Sequence, residues 1–182
     1  MQTQPQDVVN STHADALASG CDMVQYKYKG RWGRLVLSRG QARVYGPTGD
    51  ILTEFGTTND SLVCVLIGDL FAPPLFPELH FTVWDCWATG SEEGDTLRPD
   101  FISIDKYPYR DRLGIAKQVV AQLGSNFNIV KSYQIVNAPK LWNALPASGD
   151  MCSGLIYRKS SDPVSVPVRV ARWYKEMPGE LP

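Results

Sequence analysis

The chain has 182 residues, 43% of them hydrophobic and 20% charged, with a formal net charge of −1. This is the composition of an ordinary globular domain, and it excludes a global basic field for nucleic acid. No apolar run approaches the ~18 residues of a membrane-spanning helix, and the longest, SLVCVLIGDLF at 61–71, contains Asp69.

The N-terminal MQTQPQDVVNSTHADALASG has no basic start and no apolar signal core, so the chain reads as cytoplasmic. Residues 1–20 are expected to form a loose segment, with 1–10 irregular and 11–18 a short helix capped by Ser11 or Thr12. Residues 21–182 are expected to form one domain. MVQYKYKG and RWGRLVLSRG alternate with period two and predict strands. QARVYGPTGDILTEF predicts a hairpin turning at Gly46–Asp50. SLVCVLIGDLF predicts a strand buried on both faces, APPLFPE a break, LHFTVWDCW an aromatic-rich strand, and GSEEGDTLRPD an exposed loop. PYRDRLGIAKQVVAQLG predicts a helix with Leu113, Ala116, Val119, Val120 and Leu123 on one face and Gly124 as its stop. FNIVKSYQIV predicts a strand, APKLWNALPASG a short helix and turn, and SGLIYRKS and VPVRVARWYKEM the closing strands. The fold class is therefore α+β, mostly antiparallel sheet with few helices.

The four cysteines, Cys21, Cys64, Cys86 and Cys152, form no C-x-x-C pair and accompany only two histidines. Buried free thiols are expected rather than a zinc site. Cations are unevenly spread. Lys27, Lys29, Arg31, Arg34, Arg39 and Arg43 lie between Asp22 and Asp50 with no acid among them. Arg158, Lys159, Arg169, Arg172 and Lys175 form a second basic segment broken only by Asp162. Two such segments suit one anion. Taken singly, each residue has a plainer reading: Lys27 as a solvated strand residue, Trp84 as core, Asp85 as a strand-end group bonding backbone.

The order of motifs resembles the nucleotidyltransferase domain of ATP-dependent DNA and RNA ligases and messenger-RNA capping enzymes. KYKG matches that family's Lys-x-x-Gly, with Lys27 at the nucleophile position and Gly30 as the glycine. LIGDL places Asp69 where the family has an acid after an apolar strand. FTVWD supplies Phe81, Trp84 and Asp85 for the aromatic strand. YPYRDRLGIAKQVV matches the helix with Arg-x-x-Leu character, SGLIYR the strand normally opening Glu-Gly-Leu, and ARWYKEM the last motif strand. The departures are Lys29 for the usual Asp, Trp32 for an Arg, Gly46–Gly49 without an Arg, Asp69 for a Glu, and Ser153 for a metal-binding Glu.

The resemblance implies an ATP-grasp-like nucleotidyltransferase core; the oligonucleotide-binding barrel that the family usually adds after the last motif strand is not expected here, because few residues follow Lys175. It implies a lysine that attacks the α-phosphate of ATP, or of GTP, expels pyrophosphate and carries the nucleotide to an acceptor. Lys27 and Lys175 take the catalytic positions. Tyr26, Gly30, Arg31, Arg34, Asp69, Trp84, Arg158 and Arg172 take the nucleotide-binding ones, with Trp84 on the base and Arg172 at the α-phosphate. Asp69 is also the candidate ligand for Mg²⁺ or Mn²⁺. The partners implied are a nucleoside triphosphate and a nucleic-acid end or partner protein, with no membrane. Weak binding of nicked duplex is expected, because few phosphates can be neutralised. The alternatives are a non-catalytic relative that binds a nucleotide or protein, and an unrelated α+β domain.

Overall fold

The structure, a computed structural model, describes residues 7–71, 79–90, 101–148 and 151–172. Their contacts group into two compact units, one formed by Gly30–Ile129 and the other by residues 7–29 and 130–172.

The Gly30–Ile129 unit is built on a sheet of order β5-β4-β3-β6-β7-β8, with β9 pairing to β7. Strand β3 (Arg31–Ser38) alternates exposed and buried positions, as its period-two sequence requires. It turns into β4 (Gln41–Tyr45) through Arg39 and Gly40, both in the left-handed region at φ 53° and 70°. Two positive φ values at a two-residue loop give the turn whose twist suits a hairpin. The predicted turn at Gly46–Asp50 is present, with the Gly46 N–H donating to Asp50 O, and it leads to β5 (Ile51–Gly56). β6 (Cys64–Phe71) lies between β3 and β7, and its first five residues are all buried. The continuous apolar run is therefore a strand covered on both faces.

β7 (His80–Gly90) pairs with β6 through two register shifts. Val83 and Asp85 pair with Gly68 and Ile67, and Cys86 and Ala88 pair with Leu66 and Val65. The unpaired residues are Trp84 and Trp87, so both tryptophans sit at bulges, which re-aim side chains. β8 (Phe101–Ser103) and β9 (Phe127–Ile129) complete the sheet. Helix α2 (Tyr109–Val120) packs Ala116, Val119 and Val120 against Leu35, Leu66, Phe81 and Val83. The helix ends earlier than its apolar spacing predicts: Ala121 is the C-cap, three residues before Gly124. Gln122 and Leu123 bond back to Val119 and Val120, so Leu123 still reaches the core after the helix has stopped.

The other unit carries a sheet of order β1-β12-β11-β2-β10. Its strands are β1 (Val8–Asn10), β2 (Met23–Tyr28), β10 (Ser132–Gln134), β11 (Cys152–Arg158) and β12 (Val168–Arg172). β1 corrects the expectation of an irregular 1–10: it pairs in parallel with β12 from Val8↔Val168 to Asn10↔Val170. Three residues carry too little pattern to announce a strand, and the pairing partner supplies the order. Helix α1 (His13–Ala18) is capped by Thr12, one of the two predicted positions, in a reciprocal capping box with Asp15. FNIVKSYQIV is two strands, not one. It breaks at Val130–Lys131, where the chain leaves the first unit, and β10 joins β2. Helix α3 (Ala138–Ala144) packs Leu141 and Trp142 on Val24, Leu155 and Ala171, together with Ala16 of α1.

All four cysteines are buried and free. Burial pushes the Cys64 thiol up to about 12. Among the described residues no helix is long and apolar enough to cross a membrane. APPLFPE and most of GSEEGDTLRPD lie outside the described residues.

Candidate functional site

The predicted site residues divide between the two units. Lys27 lies on β2, half-buried, between β11 and β10. Its partner across β11 is Gly154, and the partner of Gly154 across β12 is Arg172. Lys27, Gly154 and Arg172 thus form one row over three strands, and opposed residues share a sheet face. Only glycine fits the middle position. Its φ is +148°, and a Cβ there would overlap the Ala171 carbonyl oxygen. At about 4.8 Å per strand spacing, the two cationic residues stand roughly 10 Å apart at Cα with no side chain between them. Long side chains from both can reach one phosphate in that gap.

Ser153, at the position where the family places a glutamate, is the extra residue in a bulge between Cys152↔Tyr28 and Gly154↔Lys27. Its hydroxyl donates to Lys27 O at 3.5 Å, a long contact. Arg172 is exposed and donates from Nε to Asn10 Oδ1 at 3.2 Å. Arg158 shares the Lys27 face by alternation along β11, but it is 5% exposed, paired in register with Met23. Tyr26 points to the opposite face. It packs into the core edge-on to Tyr133, rings 6.4 Å apart, and burial raises its phenol pKa. Lys175 lies outside the described residues.

In the Gly30–Ile129 unit, Gly30 and Asp69 belong together. A Cβ on Gly30 would lie 2.6 Å from the Asp69 Cβ, so the glycine of KYKG is what lets the chain pass over the acid. Trp32 is the register partner of Asp69 on β3, and its ring lies 6.4 Å from that of Trp87. Arg31, at the start of β3, is exposed. Arg34 is half-buried, its guanidinium 5.3 Å from the Tyr45 ring centre. Trp32 Nε1 and Arg34 Nε are buried donors with no hydrogen-bond partner among the described residues. Trp84 is half-buried at its bulge, and its carbonyl accepts from Tyr109 Oη at 2.7 Å.

One constellation escaped the sequence reading. Asp85 does bond backbone, accepting from Cys86 N at 2.8 Å, but it does more. Arg112 grips it from Nε at 2.8 Å and from Nη2 at 2.9 Å, and both side chains are 0% exposed. Trp87 Nε1 donates to the same carboxylate at 3.3 Å, and Arg112 also holds the Tyr107 carbonyl. The Arg-x-x-Leu spacing in this helix runs from Arg110 to Leu113, and Arg110 is exposed beside Asp111. The usable signal was spacing: Arg112 falls on the stripe shared with Ala116 and Val119. A cation on a core-facing stripe needs a buried acid.

No group of three or more histidine, cysteine, aspartate or glutamate side chains is placed to hold a metal among the described residues. A Mg²⁺ held largely by substrate phosphates and water needs only one or two protein carboxylates. Asp69 can supply one.

No protein-family model and no curated protein matches the sequence. Solved structures do. The ligase domain of M. tuberculosis LigD aligns at a TM-score of 0.60 and 10% identity, over 93% of this chain and 59% of that one. Mycobacterial DNA ligase D, complexed with ATP and MES, aligns at 0.62 and 10% identity, over 94% of this chain and 60% of that one. The chain therefore spans about three fifths of the length of these ligases. At this identity the likeness concerns the fold, which is that of a ligase nucleotidyltransferase domain, sheet-rich with three α-helices among the described residues.

Proposed function

We propose that the chain is a ligase-like nucleotidyltransferase that binds ATP, with GTP as the alternative, and forms a lysyl-nucleotide at Lys27. The observation that carries this reading is the row Lys27–Gly154–Arg172. In the proposed step, neutral Lys27 Nζ forms a bond to the α-phosphorus. The bond from that phosphorus to the bridging oxygen breaks, and pyrophosphate leaves with the electron pair. The attacking amine gives up a proton to solvent as the phosphoramidate forms. Arg172 stabilises charge on the α-phosphate, and Lys175 is assigned the same role. Trp84 stacks on the base. Tyr26, Gly30, Arg31, Arg34 and Arg158 shape and charge the nucleotide's surroundings. Asp69 contacts the ribose or holds the divalent cation's water, and Mg²⁺ or Mn²⁺ supplies neutralisation of the pyrophosphate charge. The nucleotide then passes to a nucleic-acid end or another acceptor. That one neighbour of the same fold is a complex with ATP supports the choice of ligand.

Ser153 favours a second reading, a relative that binds the nucleotide without bonding it. A serine hydroxyl is a weak Mg²⁺ ligand beside a carboxylate. Intact-mass measurement after incubation with ATP or GTP and Mg²⁺ separates the two. A gain of one nucleoside monophosphate, lost in Lys27→Ala, is the expected result. A label at another residue, or one that survives in Lys27→Ala, removes the assignment. Saturable binding with no mass gain supports the second reading.

A further inference from the structure

A cavity of about 790 Å³ opens in the Gly30–Ile129 unit, beside edge strand β5 and the turns that follow α2. It shares no described lining residue with the nucleotide positions above. Its volume lies within the range of small-molecule sites. The floor is aromatic: the Phe55 and Phe127 rings lie 5.3 Å apart, tilted by 40°. The walls offer hydroxyl and amide groups, among them Thr53, Gln122 and Ser125. None of the described lining residues is charged, in a chain that is 20% charged. A phosphate or carboxylate would find no counter-charge among the described lining residues.

Two glycines in the lining, Gly56 and Gly124, are demanded by nothing in the backbone. Neither has a positive φ. A Cβ on Gly124 would meet nothing within 4 Å, and one on Gly56 only the Gly40 carbonyl oxygen, at 3.8 Å. Gly30 and Gly154 are glycines because a side chain would collide. Gly56 and Gly124 have room for one, and the effect of its absence is an open cavity. The walls are also tied in place, since Asn59 Nδ2 donates to Gln122 Oε1 at 2.9 Å and joins the loop after β5 to the end of α2.

We infer that this cavity is a second binding site, for an uncharged ring compound with amide-type hydrogen-bonding edges. The ring rests on Phe55 and Phe127, and the edge pairs with the hydroxyl and amide groups of the wall. Benzamide and benzoate are matched probes, of one shape and differing by a charge. Titrated into the ¹⁵N-labelled full chain, benzamide shifts the amide resonances of Gly124, Ser125 and Phe127 saturably, and benzoate binds at least about tenfold more weakly. Gly124→Phe fills the cavity from an unstrained position and abolishes the benzamide response with the thermal midpoint preserved. Thr53→Val, nearly isosteric, weakens benzamide binding about three- to tenfold. Three results would overturn the site: no saturable shift in the native chain, equal binding of benzoate, or full benzamide affinity in both folded variants.

Discussion

The two units treat charge in opposite ways. In the Gly30–Ile129 unit, Asp85 and Arg112 are fully buried, and the carboxylate accepts from Arg112, Trp87 and the Cys86 amide. In the other, half-buried Lys27 and exposed Arg172 flank a glycine, and no carboxylate shares their row. The first arrangement is internally compensated and asks for no ligand. The second leaves a gap between cations, which is what an anion fills. Burial of charge does not by itself mark a ligand site in this protein; the proposed site lies where cations share a row with no carboxylate.

The comparison breaks most sharply at Arg112. Arg112→Met leaves the Asp85 carboxylate buried without its counter-charge and should lower stability in urea unfolding by about 3–5 kcal/mol. Asp85→Leu combined with Arg112→Met should recover much of that loss, because two buried charges leave together. Lys27→Met should change stability by less than about 1 kcal/mol. Similar losses for Arg112→Met and Lys27→Met would erase the distinction between the units.

Gly154→Ala tests the row itself. A positive φ of this kind costs roughly 1–3 kcal/mol for a residue with a side chain, and the overlap with Ala171 O adds to it. The variant should unfold at lower urea, and any nucleotide adduct at Lys27 should fall further than the stability loss explains. A stable Gly154→Ala protein would mean that the gap between Lys27 and Arg172 is not held by backbone geometry.

The smallest effect is expected at an exposed pair. Glu54 accepts from Arg43 Nε at 2.8 Å, and this hydrogen bond, first among the causes, holds its carboxyl below the ordinary value. A depressed carboxyl contributes its stability above the unfolded-state pKa and loses it as pH falls through the folded value. The thermal midpoint of Arg43→Gln should therefore sit slightly below that of the native chain at neutral pH and converge with it on acidification. Divergence of the two profiles at low pH would contradict the pairing. Because both groups are open to solvent, salt should shrink the difference.

The strands that carry Lys27, Asp69 and Trp84 were legible because each holds enough residues for its pattern to repeat. The cap of α1 was legible to within Ser11 or Thr12 because capping is local chemistry. β1 was not, since three residues show no period, and the break inside FNIVKSYQIV was not, since β9 and β10 answer to different sheets. The order of motifs pointed to the ligase fold, and the structural neighbours support that much at 10% identity. Asp85 was singled out in the sequence, but its union with Arg112 was not.

What the sequence determined by itself is therefore what neighbouring residues decide among themselves: strand periodicity, the Gly46–Asp50 turn, the cap of α1 to within a residue and the apolar stripe of α2. What only the tertiary structure decided are relations between distant residues. Strand register places Gly154 between Lys27 and Arg172, close approach explains Gly30 by Asp69, and bulges set Trp84 and Trp87 out of the pairing. The reason is physical. A strand's pattern states which face is buried but not which strand lies beside it, and a charge states that it needs a partner but not where in the chain that partner is.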